Sequence, residues 1–460
     1  MADVAGIIEP VEAKFRNSEL KWSCYNIISL LKDGAVVWNT ASGAIVLLSH
    51  EDQLKLEAFF LHSHRTKDRG LVDTLVTSGL LVPSTLDERR EMLSRFRETG
   101  KSDYLQLTIL PTTSCNFRCV YCYEDSSKSL RMSRDAEDRI LAFVRKQCDS
   151  NPNIRTLQVA WFGGEPLLNL ESIERLSSSF QKFCCSHGLN YCAGLTTNAY
   201  LLDRRTFLTL LHHGISKFHM TIDGLAKSHD LHRPLRNGDP TFETITGNLR
   251  DIACLNADFK IIVRSNFDRD NIRDAEDFVL WFKDFFKSDD RFSFYFASIF
   301  KSGTEKDRDI NFCLGVDEID SDISHVLDFA SKKGIHSYFL PLPEPKPSYC
   351  PAVMPNSWII GPDGSVYKCT LLLDLEDRVG DLDDSGNITF EKKIDLWLKY
   401  EFEDDRKCLN CALLPVCYGG CPNARFGGHR GCLCSMETAR KAMVSYYLSQ
   451  RGWKGGEQEW

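Results

Sequence analysis

The sequence predicts an α/β protein whose central element is a parallel sheet, and two observations predict it. Between residues 105 and 300, six segments with the pattern of strands alternate with five amphipathic segments of helical period. Repeated strand-helix order produces a parallel sheet with its helices outside. The predicted strands are 105–110, 156–162, 191–196, 217–222, 259–265 and 291–298, and the predicted helices are 133–149, 170–186, 203–213, 242–255 and 271–286.

Length, composition and charge narrow the class of protein. A chain of 460 residues suggests two to four domains. It contains no apolar run of about 18 residues that could cross a membrane. The N-terminus lacks the basic and apolar regions of a signal peptide, so we expect a cytoplasmic protein. A net charge of -8 without a basic run argues against nucleic acid as a partner.

The 18 cysteines indicate metal binding. The cytosol keeps thiols reduced, so disulfides are not expected. Eleven of these cysteines fall within residues 115–122 and 350–434, and short spacings of this kind are typical of metal ligands. Most of the others lie in apolar segments and are interpreted as core residues.

Residues 1–95 contain no catalytic cluster and predict a small module of strands and helices. Three short strands, 25–31, 35–40 and 44–48, are joined by turns at Asp33-Gly34 and Ser42-Gly43. Helices are predicted over 50–64 and 69–78, and the second leads into Leu80-Leu81-Val82. Residues 85–103 predict a charged helix and a linker.

The first predicted strand of the sheet leads into a loop that carries three cysteines. Leu105, Leu107 and Ile109 alternate with polar residues before Pro111. Cys115, Cys119 and Cys122 follow with the spacing CxxxCxxC. Three thiolates can hold three irons of a 4Fe-4S cluster and leave the fourth iron open. The alternatives are a zinc site, which usually pairs two CxxC-like knuckles and needs four ligands, and three buried thiols.

This loop resembles the signature of the radical S-adenosylmethionine (SAM) superfamily, CxxxCxΦC, with Tyr121 at the aromatic position Φ. The resemblance implies a partial (β/α)6 barrel whose active site lies at the carboxyl ends of the strands. It also implies that SAM binds the open iron and is cleaved to a 5′-deoxyadenosyl radical that abstracts hydrogen.

Motifs at the ends of later strands are similar to SAM-binding motifs of this family. Gly163, Gly164, Glu165 and Pro166 match its GGEP motif, in which the backbone and the glutamate bind the amino group of SAM. A Gly-Gly turn before a helix-starting proline is the alternative interpretation.

Four further residues are candidates for the same SAM pocket. By resemblance Asn198 and Thr221 lie near SAM, or else they cap strands. Arg233 and Arg264 are candidate partners of a carboxylate, because a planar guanidinium binds one in bidentate fashion, and the alternative for each is a structural ion pair.

The C-terminal cysteines resemble the SPASM extension of radical SAM enzymes, with the pattern CxnGx4C, Cx2Cx5Cx3C and a last Cys. The matching positions are Cys350, Gly364, Cys369, Cys408, Cys411, Cys417, Cys421 and either Cys432 or Cys434. A hairpin over 358–369 with Asp363-Gly364 at its turn presents Cys369. Paired zinc knuckles would explain only Cys408 and Cys411.

The family's ligand pairing implies two auxiliary 4Fe-4S clusters, hence three clusters in all with SAM as the further cofactor. Cys408, Cys411, Cys417 and Cys434 would hold one, with Cys432 as the rival for the last ligand. Cys350, Cys369 and Cys421 would hold the other. Residues 341–349 contain no further cysteine, and Cys313 is the nearest one upstream. An auxiliary cluster with three protein ligands could bind a substrate thiolate.

These resemblances divide the chain into a winged-helix-like module (1–95), a radical SAM core (96–310), a linker (311–348) and a SPASM domain (349–460). The first module resembles the peptide-recognition domain of enzymes that modify ribosomally made peptides, in which the leader adds as a strand to an exposed edge. A structural cap is the alternative.

The predicted function is therefore a peptide maturase that installs a cross-link, with a thioether favoured over a carbon-carbon or carbon-oxygen link. An external electron donor such as flavodoxin or ferredoxin is the expected second partner. The alternatives are a sulfatase-maturating or other dehydrogenase and a non-enzymatic Fe-S or zinc scaffold. Thr370 follows Cys369, where sulfatase-maturating enzymes have an aspartate base, and this weakens the sulfatase alternative.

Overall fold

A computed structural model describes residues 20–32, 34–61, 69–99, 103–124, 129–287, 289–299, 325–326, 329–330, 333, 350–400, 405–426 and 443. Cys313, Cys432, Cys434 and most of the predicted linker lie outside these residues. The chain forms two compact units. The first unit comprises Met1–Thr99, Phe339–Cys350 and Glu401–Trp460, and the second comprises Gly100–Tyr338 and Pro351–Tyr400.

The first unit begins with the predicted strand-and-helix module. Its strands are β1 (Leu20–Trp22), β2 (Asn26–Leu31), β3 (Gly34–Asn39), β4 (Ile45–Ser49) and β5 (Leu81–Pro83), and its helices are α1 (His50–Leu61), α2 (Arg69–Thr77) and α3 (Glu88–Thr99). Strands β2, β3 and β4 form an antiparallel sheet, and β1 pairs with β5. The three sheet strands and both helices before β5 were predicted, whereas β1 was not, because three residues carry too little periodicity.

Both faces of this three-stranded sheet are covered within the first unit. Val37 and Leu48 pack with Phe59, Leu75 and neighbouring apolar residues of α1 and α2. On the other face, Val36 and Trp38 pack with Leu413 and Val416. Every residue of β3 is buried.

The second unit contains the predicted parallel sheet. Its strands are β6 (Tyr104–Ile109), β7 (Thr156–Trp161), β8 (Asn190–Thr197), β9 (Ile215–Thr221), β10 (Lys260–Phe267) and β11 (Phe292–Ser298), paired in chain order. The helices are α4 (Arg134–Ser150), α5 (Leu170–His187), α6 (Arg204–His212), α7 (Ala226–His232), α8 (Phe242–Ala253) and α9 (Ala275–Phe286). The six predicted strands and five predicted helices are thus confirmed, and α7 is additional.

One face of the parallel sheet packs against helices and the other is concave. Phe218 of β9 contacts Phe207 of α6 at 4.7 Å between ring centroids, and Phe294 of β11 contacts Phe282 of α9 at 5.0 Å. His219 and Tyr295 alternate with these residues and therefore lie on the opposite face. Their rings stack at 5.6 Å although β10 lies between the two strands. Strands two apart in a flat sheet lie about 9.6 Å apart, so this inner face is curved.

The sheet continues beyond β6 into the C-terminal half of the chain. Strand β12 (Ser357–Ile360) pairs parallel to β6, and β13 (Ser365–Tyr367), β14 (Gly380–Leu382) and β15 (Ile388–Phe390) follow antiparallel. The predicted hairpin is confirmed by the β12–β13 ladder, and Gly364 at its turn has φ of 90°. Four short helices follow among the described residues: α10 (Ile394–Leu398), α11 (Arg406–Leu409), α12 (Leu414–Cys417) and α13 (Pro422–Phe426).

No helix among the described residues combines the length and apolarity required to cross a bilayer.

Candidate active site

The cysteine loop after β6 is held by a second segment, residues 232–236. Arg118 and Val120 donate backbone hydrogen bonds to the carbonyls of Pro234 and His232, at 2.9 and 3.0 Å. Arg236 donates to the carbonyl of Asn116 at 3.0 Å. These bonds form an antiparallel ladder around the Phe117–Leu235 bridge. Residues 232–236 therefore support the cysteine loop.

The three thiols of this loop lie close enough to affect one another. Burial raises the pKa of Cys115 to about 12 and that of Cys122 to about 11, and neighbouring thiols add to both shifts. Burial also raises the pKa of Cys119, and the positive charge of Arg233 opposes that rise.

This donor set fits a 4Fe-4S cluster. The cluster binds each thiolate to a separate iron, so the thiolates need not converge on one point. Among the described residues, no three His, Cys, Asp or Glu side chains do converge at the distance of a single ion. The Nε–H of Arg233 is buried without an acceptor among the same residues, and cluster sulfur is an acceptor.

The Gly-Gly turn after β7 lies directly against the cysteine loop. A Cβ on Gly163 would lie 2.5 Å from the carbonyl oxygen of Thr112, and one on Gly164 would lie 2.3 Å from that of Ser114. Glu165 donates a backbone hydrogen bond to Ser114 at 2.8 Å. The resemblance implied that the backbone of this turn binds SAM, and the structure gives its glycines a further role, the close approach of two backbone segments.

The Glu165 side chain is fully buried and connects the ends of β7 and β8. Its carboxylate accepts hydrogen bonds from the Leu167 amide (3.0 Å), the Thr197 hydroxyl (2.8 Å) and the Asn198 amide (2.7 Å). Burial raises the pKa of this carboxyl, and the three hydrogen bonds oppose the rise. Pro166 opens the short 3-10 helix Pro166–Asn169, which Glu165 caps.

Asn198 reaches back to the cysteine loop. Its side-chain amide donates to Asn116 Oδ1 at 2.7 Å and lies 3.9 Å from the Cys115 sulfur. Thr221, at the end of β9, is partly exposed and lies in register with Arg264 of β10. Arg264 donates from Nε to Asn266 Oδ1 at 2.6 Å. All three predicted residues thus lie at the carboxyl ends of neighbouring strands.

Tyr121 and Arg233 belong to one buried network. The Tyr121 hydroxyl donates to Asp223 and accepts from Arg233 Nη1 at 2.8 Å and from Asn266 Nδ2 at 3.0 Å. The backbone amide of Asn266 donates to the other oxygen of Asp223 at 2.8 Å. The Arg233 guanidinium lies 5.7 Å from the Phe117 ring centroid. Binding of a SAM carboxylate by Arg233 stays a prediction.

His229 supports this network through hydrogen bonds to the backbone of Asp223 and to the Thr241 side chain. It is fully buried, and its Nδ1 accepts a hydrogen bond from the Asp223 amide at 3.1 Å. Its Nε2 therefore carries the proton and donates to the Thr241 hydroxyl, which donates to the Arg233 carbonyl at 2.8 Å. Burial lowers the pKa of His229 well below its ordinary value, so the ring stays neutral.

The inner face of the sheet carries residues that the sequence analysis missed. His219 Nε2 lies 2.7 Å from the Tyr295 hydroxyl, and burial together with Arg264 lowers the pKa of His219 to about 4. Tyr123, on the cysteine loop, is partly buried and lies within electrostatic reach of Cys122, Arg264 and Cys369. Polar residues alternating with core phenylalanines were the available signal, but the same pattern is typical of a solvent-facing strand.

Cys408, Cys411, Cys417 and Cys421 lie on the short helices and turns of the first unit, and all are partly buried. Arg425 Nη2 donates to the Cys408 sulfur at 2.7 Å, and its Nη1 lies 3.3 Å from Asp405. Tyr418, Gly419 and Gly420 have φ of 48°, 84° and 92°, which turns the chain between Cys417 and Cys421. Arg425 was not predicted as part of this group, because a lone arginine has no spacing to recognise.

Residues 109–279 match the profile of the Radical SAM superfamily, and this region contains both the cysteine loop and the Gly-Gly turn. The chain therefore carries a radical SAM domain, and the protein is an enzyme.

Similarity to known proteins extends beyond that domain. A serine-type anaerobic sulfatase-maturating enzyme of Klebsiella aerogenes is 22% identical over 334 residues, which are 67% of this chain and 77% of the relative. A cysteine-type anaerobic sulfatase-maturating enzyme of Clostridium novyi is 23% identical over 69% of this chain and 87% of its own length.

Two solved structures share the fold. The structure of anSMEcpe with bound AdoMet and Cp18Cys peptide matches with a TM-score of 0.57 at 19% identity, over 76% of this chain and 97% of that one. Streptococcus suis SuiB bound to precursor peptide SuiA matches with a TM-score of 0.53 at 15% identity, over 90% of this chain and 100% of that one.

Proposed function

We propose that this protein is a radical SAM enzyme that cross-links a ribosomally made precursor peptide, with a thioether as the favoured bond. The observation that carries this proposal is the N-terminal strand-and-helix module. The match to SuiB covers 90% of the chain, whereas that to anSMEcpe covers 76%. SuiB is the one of the two whose structure contains a precursor peptide. A module of this kind in the same chain as a radical SAM domain supports a peptide substrate that is captured outside the catalytic site.

Cys115, Cys119 and Cys122 would hold the SAM-binding cluster. When bound, the cluster and SAM supply a 5′-deoxyadenosyl radical, which removes a hydrogen atom from carbon. The residues of this chain hold the site rigid: Glu165 joins two strand ends, and Asn198 connects the second of them to the cysteine loop. The concave inner face, with His219, Arg264 and Tyr295, is the proposed place for the substrate residue.

Formation of a thioether removes a hydrogen atom, a proton and an electron from the substrate. The carbon loses a hydrogen atom to the 5′-deoxyadenosyl radical, the thiol loses a proton, and one electron passes to an acceptor. The auxiliary 4Fe-4S clusters predicted from the C-terminal cysteines are the proposed acceptors, and the electron donor for the SAM-binding cluster is a flavodoxin or ferredoxin. The domains predicted from the sequence (1–95, 96–310, 311–348 and 349–460) also remain part of this proposal. A carbon-carbon or carbon-oxygen link differs only in which group closes on the substrate carbon.

The proposed leader site is an edge of the three-stranded sheet. In an antiparallel pair, residues alternate between those that bond the neighbouring strand and those whose amides point away from it. The bonds from Thr40 N to Tyr25 O and from Asn39 N to Ala44 O show which residues are which in the β2–β3 and β3–β4 ladders. Ile28 on β2 and Leu47 on β4 therefore point their backbone amides away from β3. Each is a place where a peptide strand could pair.

Sulfatase maturation is the second candidate, because the Klebsiella and Clostridium relatives carry that name. Thr370 follows Cys369 where the sulfatase-maturating family has an aspartate base, so this chain lacks that base at the matching position.

The test is anaerobic incubation of reconstituted protein with SAM, dithionite and the precursor peptide encoded beside the gene. We expect 5′-deoxyadenosine and a peptide that has lost two hydrogen atoms and whose cysteine resists alkylation. A sulfatase-type peptide serves as the matched alternative substrate. Its conversion to formylglycine, with the precursor unchanged, would replace the proposal by sulfatase maturation. Loss of two hydrogens with the cysteine still reactive would favour a carbon-carbon or carbon-oxygen link.

Proline variants locate the leader. Ile28→Pro and Leu47→Pro each remove one outward amide without removing a ladder bond, and proline is tolerated on edge strands. We expect one of the two to weaken binding of the precursor peptide at least tenfold while SAM cleavage without peptide persists. Equal binding by both variants and the unchanged protein would reject strand addition at this sheet.

A further inference from the structure

Arg233 lies directly opposite Cys119 in the ladder that supports the cysteine loop. The Phe117–Leu235 bridge and the two bonds that flank Cys119 set the register. Residues opposite each other without mutual hydrogen bonds are the closer kind of antiparallel pair, with Cα atoms about 4.5 Å apart. Arg233 is 7% exposed, so its charge is placed beside a cluster ligand and away from solvent.

The side chain of Arg233 is held by Tyr121, which is itself bonded to residues of two further segments. Tyr121 of the cysteine loop accepts a hydrogen bond from Nη1 at 2.8 Å. The same hydroxyl bonds Asp223, which follows β9, and Asn266, which lies near the end of β10. Asp223 is fully buried and provides the compensating negative charge. Arg233 lowers the pKa of the Cys119 thiol and Asp223 raises it, and the effect of Arg233 is the larger of the two. Arg233 lies opposite Cys119 in the ladder, whereas Asp223 reaches the loop through the Tyr121 hydroxyl, so the positive charge acts more directly on this thiol.

A positive field at a cluster ligand has a predictable effect on electron uptake. Reduction adds one negative charge to the cluster and breaks no bond. A nearby buried cation stabilises the reduced form, and its effect is large because little solvent screens it. Net charge and hydrogen bonds are established determinants of cluster potentials.

We propose that Arg233, held by Tyr121 and compensated by the charge of Asp223, sets the reduction potential of the cluster bound by Cys115, Cys119 and Cys122. Arg233 is in this sense a positioning and electrostatic residue, and it needs no contact with substrate. The inference rests on the cluster assignment in the proposed function. It does not depend on the identity of the peptide.

The test is a redox titration of reconstituted full-length protein without SAM, with mediators and dithionite, followed by electron paramagnetic resonance. The relevant signal is the one that disappears when Cys115, Cys119 and Cys122 are replaced by alanine. Arg233→Met should lower the equilibrium constant for reduction about tenfold, which is about 59 mV for a one-electron couple. Arg233→Lys keeps the charge and should retain most of the potential. Arg118→Met is the matched control, because Arg118 lies on the same loop but is exposed.

A variant that removes the charge of Asp223 distinguishes an electrostatic role of Arg233 from a structural one. Asp223→Asn should raise the potential, and the double variant with Arg233→Met should return it toward that of the unchanged protein. If Arg233→Met alone fails to hold the cluster, the Lys and Asn variants still decide the matter. Unchanged potentials in the variants that retain the cluster would overturn the inference alone. A protein without any signal that depends on the three cysteines would overturn the cluster assignment as well.

Discussion

Gly164 lies in the turn after β7, where its Cα faces the backbone of residues 113 and 114. The motif that contains it was recognised from the sequence through its resemblance to SAM-binding motifs. A methyl carbon added at this Cα would lie 2.3 Å from the Ser114 oxygen, which is a structural reason for glycine. That reason was not readable from the sequence, because the two segments are about fifty residues apart.

Gly164→Ala should therefore destabilise the protein by about 1–3 kcal/mol, as overpacking against a backbone does, and lower the iron retained by the cysteine loop. Thermal unfolding and iron per chain after reconstitution measure the two effects. Gly247→Ala is the control, since Gly247 lies within α8 with no atom within 4 Å of an added Cβ. It should stabilise by about 0.5–1 kcal/mol. Equal behaviour of the two variants would contradict the packing role of Gly164.

Several helices of the second unit begin or end at residues with a recognisable capping role. Ser133 and Asp203 cap α4 and α6 through their side chains, and Gly188 ends α5 in the left-handed conformation. These elements were predicted closely from hydrophobic periodicity, and their capping residues were identified only in the structure. Helix α7 was missed because its seven residues include three polar histidine and aspartate positions whose partners lie elsewhere in the fold.

Asp203 provides a pH-dependent test at this scale. Its Oδ1 accepts the Thr206 amide at 2.7 Å, and this hydrogen bond lowers the pKa of the carboxyl. The folded state thus binds the proton less readily than the unfolded chain does. The resulting stability is present above the unfolded pKa of about 3.9 and is lost as the pH falls through the folded value.

Asp203→Ala should cost about 0.5–2 kcal/mol at neutral pH, and the difference from the unchanged protein should shrink in acid. Thermal unfolding midpoints between neutral pH and pH of about 3 measure this trend. Asp203→Asn keeps the acceptor without the titration and should lose less at neutral pH. A difference that grows on acidification would show that the cap acts in another way.

At the scale of the whole molecule, the iron content tests how many clusters the cysteines hold. The proposal of one SAM-binding and two auxiliary clusters predicts about twelve irons per chain. Replacement of Cys115, Cys119 and Cys122 by alanine should reduce this to about eight. Iron and sulfide analysis with Mössbauer spectra on anaerobically reconstituted protein gives both numbers. Stoichiometric zinc with little iron would contradict the proposal, and about eight irons falling to four would leave one auxiliary cluster.

The cysteine spacing, the order of strands and helices and the hairpin before Cys369 were all readable from the chain, because each depends on residues near one another in sequence. Hydrophobic periodicity, turn residues and ligand spacing are local properties. They were sufficient for the class of fold and for the residues of the cysteine loop.

The partners of those residues were decided by tertiary structure alone. Arg233 and Tyr121 are 112 positions apart, and Asn266 and Tyr121 are 145 apart. An isolated arginine, tyrosine or aspartate has no periodicity that reveals whether it contacts a ligand, a carboxylate or solvent. Only the pairing of residues 232–236 with the cysteine loop, and the convergence of β9 and β10 beside it, placed a buried charge opposite Cys119.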